Sequence, residues 1–274
     1  MLDLLTRRRL AAALLSVSLV APALAADAPA KAPEKPATAA PAAPAAPAKK
    51  DAADVGSIKI GRGKDGKSDE GKGFLARHEG FLKDLKAKEG KVDLLLVGDS
   101  ITDGWRGGGK DAIKGWTDKM SVYNIGIGGD RTQHVIWRLD NGEVEGISPK
   151  VAMLMIGTNN LGGNTNDEIV AGITKIVQQL NTKLPNTKVL LLGIFPRAEK
   201  ADAPQRARIK EINEKIAKLD DGGKKVKYLD IGQKFLAADG TLTKDIMPDA
   251  LHPNAKGYQI WAEAVTPTIQ ELMK

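Results

Sequence analysis

Val92-Asp-Leu-Leu-Leu-Val-Gly98-Asp99-Ser100-Ile101-Thr102 decides how the rest of this chain is read. Its apolar run stops at a glycine, the pattern of a strand buried on both faces in a parallel sheet. Ser100 then stands where the strand exits, the edge at which open α/β sheets place their ligands. Much later the chain carries Asp249-Ala-Leu-His252-Pro253. That pair supplies what a serine nucleophile lacks near neutral pH: a base for its proton and an orienter for the base. The conjunction implies acyl transfer through a serine, as in ester hydrolysis.

On either side of this stretch, strand and helix patterns alternate. Residues 73–88 carry apolar side chains at helical spacing (Phe74, Leu75, Phe81, Leu82, Leu85). Strands are predicted at 92–97, 121–125, 151–156, 188–194 and 227–231, with helices at 132–139, 167–180, 204–219 and 254–273. Strands separated by helices imply right-handed crossovers and a sheet covered on both faces. The expected fold class is α/β: a three-layer α/β/α domain on a five-stranded parallel sheet in flavodoxin-like order.

The chain has 274 residues and no cysteine, which excludes disulfides and thiolate chemistry, and its three histidines leave little room for a histidine-rich metal site. Residues 1–25 resemble a secretion signal, with Arg7-Arg8-Arg9, an apolar core from Leu10 to Val20, and Ala23-Leu24-Ala25 as cleavage site. The apolar segment is too short to span a bilayer, and Thr6-Arg-Arg-Arg-Leu10 also permits a twin-arginine reading. Export to the periplasm or exterior is expected. Losing residues 1–25 removes three Arg and Asp3, so the net charge of +7 falls by 2 to +5. The remaining lysines are scattered, without a basic run interleaved with aromatics, so nucleic acid is not an expected partner. Residues 26–70 read as an Ala/Pro/Lys-rich disordered tether and linker that could associate with the cell envelope, and 71–274 as the catalytic domain. A dimer is compatible with the sequence.

Each chemical candidate also has a plain structural reading. Ser100 is outside the G-x-S-x-G elbow, because no second glycine follows, and a serine after a strand often only caps a helix. Asp99 reads as structural, tying down turn amides. Asp249 and His252 are three apart, so Asp249 can accept from Nδ1–H and leave Nε2 free for the serine proton. Pro253 suits the first position of the final helix, which would set His252 beside a helix N-terminus. His134 and His78 lie in helical patterns and read as packed or surface residues. Oxyanion donors are offered by two strand-exit loops, Gly126-Ile-Gly128-Gly129-Asp130 and Gly157-Thr158-Asn159-Asn160. Alone, each loop reads as a turn.

Together, Gly98-Asp99-Ser100, Gly128-Gly129-Asp130, Gly157-Thr-Asn159-Asn160 and Asp249-x-x-His252-Pro253 resemble, in order, the four blocks of SGNH/GDSL hydrolases. The resemblance covers roughly residues 73–273. Asn124-Ile-Gly-Ile-Gly-Gly-Asp130 and Thr132-Gln-His-Val-Ile-Trp-Arg-Leu139 are similar to the platelet-activating-factor acetylhydrolase subgroup and its bacterial relatives. It implies a serine esterase without metal or organic cofactor. Ser100 is then the nucleophile, His252 the base and Asp249 its orienter; the Ser100 N–H, the Gly129 N–H and the Asn159 side chain form the oxyanion hole. The signal and tether, which the intracellular enzymes do not need, turn the expected substrate from a phospholipid towards a carbohydrate or small-molecule ester. Ile101 and Leu251 are candidate walls of a short, acetyl-sized acyl site.

Two rival readings belong to other classes. Gly61-Arg-Gly-Lys-Asp-Gly66-Lys67-Ser68 fits a phosphate-binding loop pattern, yet Ser57-Ile-Lys-Ile60 is a poor preceding strand, and acids and glycines follow. A catalytically inert domain that binds carbohydrate should have lost a catalytic residue, and none is missing.

Overall fold

The computed structural model describes residues 52–61 and 68–274. The expected signal peptide, the tether to residue 51 and the centre of the phosphate-loop-like segment (62–67) lie outside the described residues. In chain order the principal elements are α1 (Lys72–Ala87), β1 (Leu94–Gly98), α2 (Ser100–Asp103), α3 (Lys114–Thr117), β2 (Val122–Asn124), α4 (Thr132–Asp140), β3 (Val151–Met155), α5 (Asn166–Lys183), β4 (Lys188–Leu192), α6 (Pro204–Ile216), β5 (Val226–Leu229) and α7 (Ala255–Leu272).

All five strands pair in parallel in the order β2-β1-β3-β4-β5, the flavodoxin-like order the sequence predicts. Alternate side chains of β1 serve opposite layers, as strand geometry demands. Leu95 and Val97 pack with α1, α4, α5 and α6, whereas Leu94 and Leu96 pack with α2, α3 and α7. The chain runs outward from β1 to β2 and back past it to β3. The order therefore reverses between β1 and β3, where the crevice for a ligand opens at the carboxyl ends. The Ser100 and Asn159 loops flank that crevice.

Six of the chain's eleven aromatic residues gather beneath it: Trp105, Trp116, Phe195, Phe235, Tyr258 and Trp261. Trp105 lies 4.8 Å, ring to ring, from both Tyr258 and Trp261. Each such ring buries enough apolar surface to contribute roughly 1.5–3 kcal/mol. The sparse aromatic content is thus spent on a rigid floor under the Ser100 turn.

The boundary of the linker shifts. Residues 52–61, assigned by composition to the tether and linker, lie along α4 instead. Ala53 is fully buried and its carbonyl accepts from Thr132 Oγ1 at 2.6 Å, while the Ser57 N–H donates to the Gln133 carbonyl at 3.1 Å. The proline content that marks the tether ends at Pro47, before this strap, which hydrogen-bonds its backbone to the domain. Residues 57–60 form no strand, and Ile60 is exposed, so the flanking context of a phosphate-binding loop is missing.

Candidate active site

β1 ends at Gly98, where a Cβ would collide with the Thr102 side chain and the Met155 carbonyl. Asp99 turns the chain and caps α2: its fully buried carboxylate accepts from the Ile101 N–H at 2.9 Å. Ser100 is the first residue of α2, half-buried, with its N–H among those a helix start leaves without an intrahelical partner. From the floor, the Tyr258 hydroxyl donates to the Ile101 carbonyl at 2.7 Å and holds the turn down.

The C-terminal loop brings Asp249 and His252 to this serine. Ser100 Oγ lies 2.8 Å from His252 Nε2, and His252 Nδ1 lies 2.6 Å from Asp249 Oδ2. With the Nδ1 proton donated to the carboxylate, Nε2 presents its lone pair to the serine hydroxyl. Asp249 Oδ1 accepts the main-chain N–H groups of Leu251 (3.1 Å) and His252 (2.7 Å), so the loop is wound around the same carboxylate. Partial burial opposes the charge of Asp249, but the His252 ring and amide and the Leu251 amide outweigh it and hold the carboxyl below its ordinary range. Ala250, between them, takes a left-handed φ of 56°, and its carbonyl accepts the Ala198 N–H at 2.9 Å. The loop after β4 thereby braces the His252 loop.

One detail differs from the sequence reading. The final helix begins at Ala255 with Asn254 as its cap, through Oδ1 and the Gly257 N–H at 3.1 Å. Pro253 precedes the cap rather than opening the helix, because Asn254 is the better cap and its N–H is held by the Ile246 carbonyl.

The two strand-exit loops meet at Asp130. Asn159 Nδ2 donates to the Asp130 carbonyl at 2.9 Å and lies 3.5 Å from Asp99 Oδ2. Asn160, its neighbour in the same motif, is buried and braces the scaffold instead, accepting from the Thr132 N–H at 3.0 Å and donating to Gln133 Oε1 at 3.0 Å. Only one amide of the pair faces the site. Gly129 is exposed with φ 74°, and a Cβ there would meet nothing within 4 Å. Glycine is required there by backbone conformation and not by crowding. Gly128 lies against the nucleophile: a Cβ on it would stand 3.8 Å from Ser100 Cβ.

The acyl-wall expectation fails for Ile101. Its side chain is 2% exposed and points into the aromatic floor with Trp105 and Tyr258, since α2 turns that face down. Leu251 is partly buried against the same cluster and keeps some surface beside His252. The other histidines are packed. His78 Nδ1 pairs with Glu143 at 2.7 Å, and His134 Nδ1 accepts the Arg131 N–H at 3.0 Å. Burial, helped by nearby Lys59, Arg131 and Arg138, lowers His134 to about 3 and keeps it neutral.

Buried charge surrounds the site. Burial, with a smaller push from Asp130, raises Asp99 to about 7 against the Ile101 N–H and His252. Asp130 is also raised by burial, opposed by Arg138 and Lys59. Arg138, fully buried, bonds Asp130 through Nε at 3.0 Å, the Ile125 carbonyl through Nη1 at 2.8 Å, and Glu143. The sequence motifs include Asp130 and Arg138 without a role of their own and omit Lys59, because nothing local marks an ion pair between separate elements. Arg197 was missed likewise; its Nη1 donates to the Thr158 carbonyl at 3.0 Å and steadies the Asn159 turn.

The Ser100 trio is open to solvent, with side chains of His252 and Asp249 42% and 55% exposed. A cavity of about 600 Å³ between α6 and β5, and one of about 580 Å³ by Arg77, Phe81 and Arg106, are both lined by other residues.

The profile of the GDSL-like lipase/acylhydrolase family matches residues 96–260. The rat platelet-activating factor acetylhydrolase IB subunit alpha2 is 36% identical over 204 residues, 73% of this chain and 85% of that protein. The human subunit alpha1 is 36% identical over 188 residues, 68% of this chain and 78% of that protein. Among solved structures, a GDSL-like lipase from Bacteroides thetaiotaomicron superposes with a TM-score of 0.56 at 22% identity, covering 73% of this chain and 97% of that one. An acetyl xylan esterase superposes with a TM-score of 0.55 at 24% identity, covering 65% and 99%. These two likenesses establish the fold alone.

Proposed function

This chain belongs to the GDSL-like lipase/acylhydrolase family, and from that premise we propose that it is an exported serine esterase removing short acyl groups, acetyl above all, from carbohydrate or small-molecule esters. The observation that carries the reading is the continuous line from Ser100 Oγ to His252 (2.8 Å) and from His252 to Asp249 (2.6 Å). Ser100 Oγ attacks the ester carbonyl carbon while His252 Nε2 takes its proton. The carbonyl oxygen becomes an oxyanion facing the Ser100 N–H, the Gly129 N–H and Asn159 Nδ2. Collapse breaks the ester C–O bond, and His252 returns the proton to the departing alcohol. A water, deprotonated by His252, then attacks the acyl-enzyme, releasing the carboxylic acid and restoring Ser100. Asp249 stabilises the imidazolium in both halves.

Preference for acetyl is supported by the acetylhydrolase relatives at 36% identity. The exposed trio leaves room for a bulky, polar alcohol half. Export rests on the Arg7-Arg8-Arg9 and Ala23-Leu24-Ala25 pattern, and fractionation of the producing cells tests it. A phospholipid substrate is the second reading, favoured by the same relatives' name. Hydrolysis of p-nitrophenyl esters of rising chain length, then of acetylated sugars against an acetylated phospholipid, separates the two. Turnover falling steeply beyond acetyl, with acetylated sugar cleaved faster than the lipid, is the expected result. Preference for long acyl chains, or for the lipid, overturns it.

A further inference from the structure

The strap ahead of the domain ends on the oxyanion loop. Lys59 Nζ donates to the Gly128 carbonyl at 2.6 Å and to Asp130 Oδ1 at 3.0 Å, and lies 5.6 Å from the centre of the Phe74 ring. Lys59 is three-quarters covered, its side chain 23% exposed. The strap's own fastenings, Ala53 to Thr132 and Ser57 to Gln133, fix it along α4, and Gly56 is pressed against Trp137, where a Cβ would stand 3.2 Å from the backbone. The lysine is therefore delivered by a packed segment.

The Gly128 carbonyl and the Gly129 N–H belong to one peptide unit. In a planar trans peptide these two groups point in opposite directions. A cation held on the carbonyl oxygen thus turns the N–H the other way and makes it a stronger donor, because hydrogen bonds polarise one another. The constraint matters here because neither Gly128 nor Gly129 has a Cβ to resist rotation of the peptide between them. The second contact, to Asp130, secures the residue whose carbonyl holds Asn159 Nδ2 at 2.9 Å. One ammonium therefore reaches both loop-borne donors.

We propose that Lys59 is a positioning residue for the oxyanion hole, clamping the Gly128–Gly129 peptide and Asp130 so that the strap before the domain is part of the catalytic apparatus. The role rests on the esterase reading given above. Lys59 touches no reacting atom; it acts through the two donors, which bind the transition state more tightly than the substrate.

Full-length Lys59→Met and Lys59→Arg, with wild type, are compared on p-nitrophenyl acetate, and hydrogen exchange is followed over residues 126–131. Lys59→Met should lower kcat about tenfold with KM little changed, less than outright loss of a donor costs. It should also speed exchange in that segment, and Lys59→Arg should recover part of both. In a cycle with Asn159→Ala, the two losses should be less than additive, since both act on one hole. An unchanged kcat in Lys59→Met overturns the proposal, as does a rise in KM alone. So does a fall in kcat that Lys59→Arg leaves untouched and that comes without faster exchange. Should Lys59→Met not fold, Lys59→Arg and Lys59→Gln carry the same test. Wild type inert towards every ester would instead sink the esterase reading, and this role with it.

Discussion

The side-chain amide of Asn159 is anchored to the main-chain carbonyl of Asp130 at 2.9 Å, so the donor from the β3 loop is aimed by the backbone of the β2 loop. The β3 loop does not orient its donor alone. Asn159→Ala should lower kcat by about 10²–10³, the usual cost of one oxyanion donor, with KM little affected. Steady-state kinetics on p-nitrophenyl acetate provide the check. A change confined to KM would make Asn159 a ground-state contact.

Ser100→Ala should abolish hydrolysis, by a factor on the order of 10⁶, and leave the fold intact. A serine-directed organophosphorus reagent should label wild type at Ser100 and spare the variant. Mass spectrometry that finds the label elsewhere, or a variant with wild-type turnover, removes Ser100 from the mechanism.

His252→Ala should cost nearly as much as Ser100→Ala, and the double variant little more, because the pair works as one unit. Asp249→Asn should be milder, on the order of 10⁴, since the amide can hold the ring without supporting its charge. Additive losses in the double variant would separate the two residues.

Gly129→Ala meets open space yet must hold φ near 74°. It should cost roughly 1–2 kcal/mol of stability or relax the loop. Gly129→Asn should be better tolerated, because Asn accepts the left-handed region. Thermal denaturation and kinetics together read both effects; equal behaviour of Gly129→Ala and wild type would mean the loop is held less firmly than described.

Asp99 offers a test by pH. Its carboxyl rises from an ordinary 3.8 to about 7, chiefly through burial. Between those values the folded protein binds more protons than the unfolded chain, so this group makes stability fall as pH rises from about 4 to about 7, and adds no slope above. Asp130, raised in the same direction, contributes a slope of the same sign. Asp99→Asn keeps the cap on Ile101 without the charge. It should gain stability relative to wild type between pH 5 and pH 8, on the order of a few kcal/mol. Chemical denaturation at both pH values decides it, and a constant difference would show that Asp99 does not titrate in this range.

The amino-acid sequence by itself determined the alternation of strands and helices, because apolar periodicity and strand-exit glycines are local properties that survive in almost any context; the flavodoxin-like strand order was an expectation that the pairing of the sheet bore out. It also determined which residues could carry the chemistry: Ser100, Gly129 and Asn159 are legible as residue types at strand exits, and Asp249 and His252 as a pair three apart ahead of the final helix. Tertiary structure alone decided which side of an element each of their neighbours faces. Ile101 looked like an acyl wall and is floor; Asn160 looked like Asn159 and is scaffold; Pro253 looked like a helix start and lies ahead of the Asn254 cap. It also drew residues 52–61 out of an apparent linker and set Lys59 on a peptide 69 positions away. The physical reason is common to all five. A hydrogen bond between distant loops, or the choice between two adjacent amides, leaves no periodic trace in the chain, and is settled only when the sheet brings those loops to one edge.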